Sequence, residues 1–99
     1  MQIERTCSSE LTITGNIKSI EDSIQIKGAI NAIRKDGAQS LRMNIKDSFS
    51  ITSTVIGNLI KLVHHDKVNL SIMIGDQRLY DLLVELNIAH DFNARLVGR

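Results

Sequence analysis

Three times along the chain a segment with strand periodicity gives way to one with helical periodicity, and this alternation limits the possible folds more than any other feature. In "LTITGNI", Leu11 and Ile13 alternate with Thr12 and Thr14, the two-residue period of a strand, and Gly15-Asn16 supplies a turn at its end. The preceding "QIERTC" can pair with it as an edge strand. From Ser19 the pattern changes. Ser19 suits a cap, Glu21 and Asp22 suit a helix amino end, and Ile26, Ala29, Ile30 and Ile33 recur at helical spacing as far as "RKDG", which predicts a helix over residues 20–35. "SLRMNI" returns to strand period through Leu41, Met43 and Ile45. After a hydroxyl-rich loop, Val55, Ile56, Leu59, Ile60 and Val63 form the expected apolar face of a second helix, with Asn58, Lys61 and His65 turned elsewhere. "VNLSIMIG" has the β-branched density expected of a strand buried on both faces. Asp76 can cap a third helix with a stripe of Leu79, Leu82, Leu83 and Leu86, Asn87 suits a left-handed stop, and "FNARLV" supplies a last strand.

The order strand, strand, helix, strand, helix, strand, helix, strand predicts an α/β fold. Right-handed crossovers make the later part of its sheet parallel, and the opening pair is an antiparallel hairpin. The expected architecture is a mixed four- to five-stranded sheet with about three helices packed on it. No proline is present, glycines are scattered singly and no repeat or linker interrupts the pattern, so residues 1–99 read as one domain. In open α/β sheets the site tends to lie in loops at the carboxyl ends of the strands, which directs attention to residues 46–54.

Charge and composition remove several classes of function. Twelve basic and eleven acidic residues are spread along the chain, with no basic block to draw a phosphate backbone, so no nucleic-acid partner is expected. Phe49, Tyr80 and Phe92 are the only aromatic residues, too few for a base-stacking platform. No apolar run is long enough to insert in a bilayer, the amino end lacks the pattern of a secretory signal, and the lone Cys7 has no internal disulfide partner. A soluble protein in the reducing cytoplasm is the expectation.

In "SITSTVIGNLIKL" four hydroxyls, Ser50, Thr52, Ser53 and Thr54, crowd the start of the second helix, where one or two would serve as a cap. The surplus suits a polar turn, a phosphate-binding pocket or a phosphorylation site. His64, His65 and Asp66 form a second cluster, with His90 and Asp91 further along. Histidines at a helix end suit its negative dipole, and the HxxxH or cysteine spacing of a metal site is missing. Asp47 and Asp76 could stand as a carboxylate pair at the strand ends, but no nucleophile and base accompany them, and Cys7 reads as a half-buried, inert thiol. The residues predict neither an enzyme nor a cofactor or metal.

The segment "LRMNIKDSFSITSTVIGNLIKL" resembles the central motif of the STAS-domain family, the bacterial anti-sigma-factor antagonists. That motif is a strand, a loop, and then Asp-Ser-Ser/Thr-Gly-aliphatic-Gly opening a helix. Leu41, Met43 and Ile45 correspond to the strand, Ile51 precedes the motif, and Thr52, Ser53, Thr54, Val55, Ile56 and Gly57 correspond to the motif itself. Thr52 stands in place of the Asp and Val55 in place of the first Gly. "LTITGNI" looks like the family's second strand, and "IGDQRLYDLLVELNIAHDF" is similar to its last helix and the entry to its final strand. The resemblance implies a single STAS-like domain over residues 1–99. It also implies a protein that is not an enzyme but switches partners in bacterial signal transduction and transcription regulation. In the family, the residue after the Asp is phosphorylated by a partner Ser/Thr kinase that doubles as an anti-sigma factor. By position that residue is Ser53, with Thr54, or Ser48 in a register that uses "DSFS" after Asp47, as lesser candidates.

The expected partner surface comprises Thr52, Ser53, Thr54, Ile56 and Gly57, and the expected partners are a Ser/Thr kinase or anti-sigma factor and a PP2C-type phosphatase. Two other readings stand beside this one. The resemblance also implies, as an alternative, a phosphorylation-independent STAS-like adaptor subunit of a signalling or lipid-transport complex, and the histidines allow, more distantly, a small metal-binding protein or enzyme using His64 and His65.

Overall fold

The hairpin that opens the chain joins β1 (Gln2–Cys7) to β2 (Glu10–Thr14), and Gly15 ends β2 with a φ of +84°, a conformation that glycine adopts without steric cost. In the computed structural model, which describes residues 1–97, there follow α1 (Ile20–Lys35), β3 (Ser40–Ile45), α2 (Ser53–His64), β4 (Asn69–Ile74), α3 (Gln77–Glu85) and β5 (Ala94–Leu96). The five strands form one sheet in the order β1-β2-β3-β4-β5, with β1 antiparallel to β2 and every later pair parallel. The fold is the mixed α/β sheet with three helices that the alternation predicts.

Local signals set the helix ends. Ser19 caps α1 through a reciprocal capping box: its hydroxyl accepts from the Asp22 N–H at 3.1 Å, and the Asp22 carboxylate accepts from the Ser19 N–H at 3.2 Å. Asp76 caps α3, and Asn87 follows the helix at a φ of 64°.

Because chain order and strand order are the same, each crossover moves one strand in the same direction, and crossovers of one hand then bring every helix to one face of the sheet. The burial follows that rule. Leu11, Ile13, Leu41, Met43, Ile45, Leu70, Ile72 and Ile74 form the inner face and are closed over by Ile26, Ile30 and Ile33 of α1, Val55, Leu59 and Leu62 of α2, and Leu79 and Leu83 of α3. Phe92, fully buried in the loop before β5, belongs to the same core.

The one-sided arrangement corrects the expectation for "VNLSIMIG". In β4 only Leu70, Ile72 and Ile74 are buried, whereas Ser71 and Met73 are half-buried and Asn69 is exposed, since no helix covers their side of the sheet. The helix stripes are also narrower than expected. On α2 the buried set is Val55, Leu59 and Leu62, with Ile56 and Val63 half-buried and Ile60 exposed. On α3 Leu82 is half-buried, and Leu86, the residue that ends the helix, is exposed. A helix lying over one side of a sheet presents a narrow arc to it, so apolar residues at the margins of the stripe stay partly in water.

Candidate functional site

The loop from β3 to α2 leaves the sheet at Lys46, whose N–H is held by the Ile13 carbonyl at 3.1 Å, and runs beside the turn after β2. Side chains fasten the two segments together. The Asp47 carboxylate accepts from the Gly15 N–H at 2.7 Å, and Asn16 Oδ1 accepts from the Phe49 N–H at 3.1 Å. Ser48 is fully buried. Its hydroxyl accepts from the Ile17 N–H at 3.0 Å and donates to the Ser50 carbonyl at 2.6 Å. The Ser50 hydroxyl in turn donates to the Ile17 carbonyl at 2.9 Å. Buried and part-buried backbone groups of Ile17 and Ser50 that lack a ladder partner are thereby satisfied by serine side chains.

Thr52 caps α2, its Oγ1 accepting from the Val55 N–H at 3.2 Å, and the same hydroxyl lies 2.7 Å from that of Ser23 on α1. The hydroxyl-rich run thus divides by role. Ser48, Ser50 and Thr52 hold the loop and the helix start, while Ser53 and Thr54, in the first turn of α2, are exposed. No acidic side chain occupies that first turn, in contrast to α1, which carries Glu21 and Asp22 there. The positive end of the α2 dipole therefore has no acidic side chain of its own turn to offset it, and of the first N–H groups the Val55 one is taken by the Thr52 cap.

Among the expected partner residues, Thr52 and Ile56 are half-buried and Ser53, Thr54 and Gly57 are exposed. A Cβ at Gly57 would meet nothing within 4 Å. Beside the loop, the Arg78 guanidinium stands 4.6 Å from the centre of the Phe49 ring while paired to Asp76 at 2.8 Å, so α3 begins against the same loop. Ser23, Asn16 and Arg78 carry no motif. Their part in the loop arises from packing between elements distant in sequence.

The carboxylates Asp47 and Asp76 are each committed to structure, the first to Gly15 and the second to the α3 cap and Arg78. The histidines lie at the other end of α2. His64 Nε2 is 3.5 Å from Asp91 and His65 Nδ1 is 3.0 Å from Asp66, all four side chains substantially in solvent. Contact with His65 holds the Asp66 carboxyl below its usual value. Among the described residues no group of three or more His, Cys, Asp or Glu is placed to hold a metal ion. Cys7 is exposed at the end of β1 rather than half-buried, because β1 is an edge strand. No helix among the described residues is long and apolar enough to cross a membrane.

In comparisons with known proteins, no family model, no curated protein and no solved structure matches this chain.

Proposed function

We propose that the protein is a partner-switching module of the anti-sigma-factor antagonist kind, which binds a Ser/Thr kinase or anti-sigma-type protein around the start of α2 and releases it when Ser53 is phosphorylated. The observation that carries this reading is the division of labour among the hydroxyls. Ser48 and Ser50 are bonded into the loop and Thr52 caps the helix, whereas Ser53 stands exposed at the first helical position with no acidic side chain in its turn. A phosphate there would carry about −1.5 to −2 charges and would be stabilised by the helix amino end. Its charge and hydration would oppose a docked protein surface, and that opposition is the release step. Of the other two candidates, Thr54 is exposed one residue further into the turn, and the buried Ser48 hydroxyl is reachable by a kinase only if the loop opens.

Incubation with ATP and a Ser/Thr kinase of the anti-sigma-factor kind, followed by intact-mass measurement, tests the proposal. One added phosphate on the natural chain and none on Ser53→Ala is the expected result. A natural chain that gains no phosphate yet still binds its partner would establish the constitutive adaptor instead. The replacement of the family's Asp by Thr52 speaks for that second reading, because the anion that precedes the acceptor in the motif is missing.

A further inference from the structure

The face of the sheet turned away from the helices is polar and has two distinct parts. In one part the side chains bond to one another. Glu10 Oε2 accepts from the Thr6 hydroxyl at 2.8 Å and from Asn44 Nδ2 at 3.0 Å, and Thr12 Oγ1 lies 3.1 Å from Thr6 Oγ1. A bulge makes this possible. The register of β1 slips between Arg5 and Cys7, which brings both Thr6 and Cys7 against Glu10, the re-aiming of side chains for which bulges are used.

In the other part, towards the amino ends of β3 and β4, Ser9, Glu10, Ser40, Arg42, Asn69 and Ser71 line a hollow of about 350 Å³, a size within the range of small-molecule sites. Here, apart from Glu10, these side chains have no partners among the described residues. Among the described residues the Arg42 guanidinium makes neither an ion pair nor a hydrogen bond, and the side chains of Ser40, Asn69 and Ser71 make no hydrogen bond.

The arrangement of the two charges is informative. Glu10 and Arg42 are cross-strand partners, a placement in which opposite charges ordinarily meet. They do not pair, because Thr6 and Asn44 hold the carboxylate by Oε2. Glu10 Oε1 is left without a partner among the described residues. An anchored carboxylate and a guanidinium thus line the same hollow separately, surrounded by hydroxyl and amide groups.

We propose that this hollow binds a small zwitterion, the class to which free α-amino acids belong. The ligand ammonium meets Glu10 Oε1, and the ligand carboxylate takes the planar fork of Arg42, whose geometry suits a bidentate carboxylate. Ser40, Asn69 and Ser71 complete the polar wall. With one acidic and one basic group, the site is neutral overall and favours a neutral zwitterion over a polyanion. It lies on the opposite face of the sheet from the helices and at the opposite strand ends from Ser53, and it stands independently of the switch proposed above.

Heteronuclear NMR of the whole chain, titrated singly with the common amino acids and with the N-acetyl and carboxamide derivative of each, tests the assignment. At least one amino acid should give saturable shifts confined to the amides of Ser9, Glu10, Ser40, Arg42 and Ser71. Removing either ligand charge should weaken binding about tenfold or more, as should Glu10→Gln or Arg42→Gln, since each deletes a charge-assisted contact. Glu10→Gln keeps an oxygen for Thr6, and Arg42→Gln touches no internal network, so unperturbed signals elsewhere report an intact fold. The assignment is overturned if no amino acid gives saturable shifts up to about 10 mM, well above the roughly 1 mM that a few polar contacts sustain. It is equally overturned if an N-acetyl derivative binds as well as its parent, or if neither variant weakens binding.

Discussion

The hydroxyl of Ser23, buried on α1, lies 2.7 Å from the hydroxyl of Thr52, the cap of α2. Ser23 also donates to the Ser19 carbonyl at 3.2 Å. A consistent direction of donation therefore runs from Thr52 to Ser23 to Ser19, leaving a Thr52 lone pair for the Val55 N–H. Two helix starts are tied through one residue. Thr52→Val, which keeps the shape and removes both bonds, should lower stability by about 2 kcal/mol, the sum of a lost cap and a lost part-buried hydrogen bond. Urea unfolding checks this: the midpoint should fall with the slope unchanged.

Thr52→Asp restores the acid of the resembled motif and should change stability by less than about 0.5 kcal/mol at neutral pH, because Asp caps at least as well as Thr and its charge suits the helix amino end. Ser23 would turn its proton towards the new carboxylate. Under the switch the natural chain is already a kinase substrate, and the variant should change the phosphorylation rate only modestly.

At Ser53, replacement by Asp should weaken partner binding only partly, and less than phosphorylation does, since a carboxylate carries less charge and fewer acceptor oxygens than a phosphate. Calorimetric titration of the partner against natural, phosphorylated and Ser53→Asp protein orders the three. Equal affinity of all three would remove the switch.

Two glycines should respond in opposite ways. A Cβ at Gly75 would run into the backbone carbonyl of Lys46, which cannot rotate away, so Gly75→Ala should destabilise by about 2 kcal/mol. Gly57 sits inside α2 with open space around it, so Gly57→Ala should stabilise by about 0.5–1 kcal/mol. Thermal unfolding of both variants measures the contrast.

The Asp22 carboxyl is held below its ordinary value of 3.8, chiefly by the Lys18 N–H, with the Ser19 N–H and hydroxyl adding. A carboxyl with a lowered folded-state pKa contributes stability that is fully present above its unfolded value and is lost as pH falls through the folded one. The melting temperature of the natural protein should therefore drop more steeply below about pH 4 than that of Asp22→Asn, with the two curves converging in strong acid.

Much of the fold could be read from short-range chemistry. Ser19 with Asp22, Asp76 and Asn87 mark helix ends by hydrogen bonds and backbone angles that act within a few residues, and the sequence pattern places them where the structure has them. Residues whose surroundings depend on a distant element were less legible. Leu62 rather than Ile60 is buried on α2 because the sheet lies to one side of the helix, and Met73 is only half-covered because all three helices lie across the other face. Within the candidate site, Thr52 could be read as a cap from its position alone. The burial of Ser48 depends on Ile17, about thirty residues earlier, and no local pattern announces that contact.

Strand order that matches chain order also governs how the molecule is assembled and how it responds to load. Each strand after β1 finds its neighbour already present when it leaves the ribosome, so the sheet can grow from one edge without waiting for the carboxyl end. The first and last strands lie at opposite borders of the sheet, and β5, with three residues, is the shortest. A pull applied between the first and last strands meets its shortest ladder at β4–β5, three residue pairs against four to six between the other neighbours.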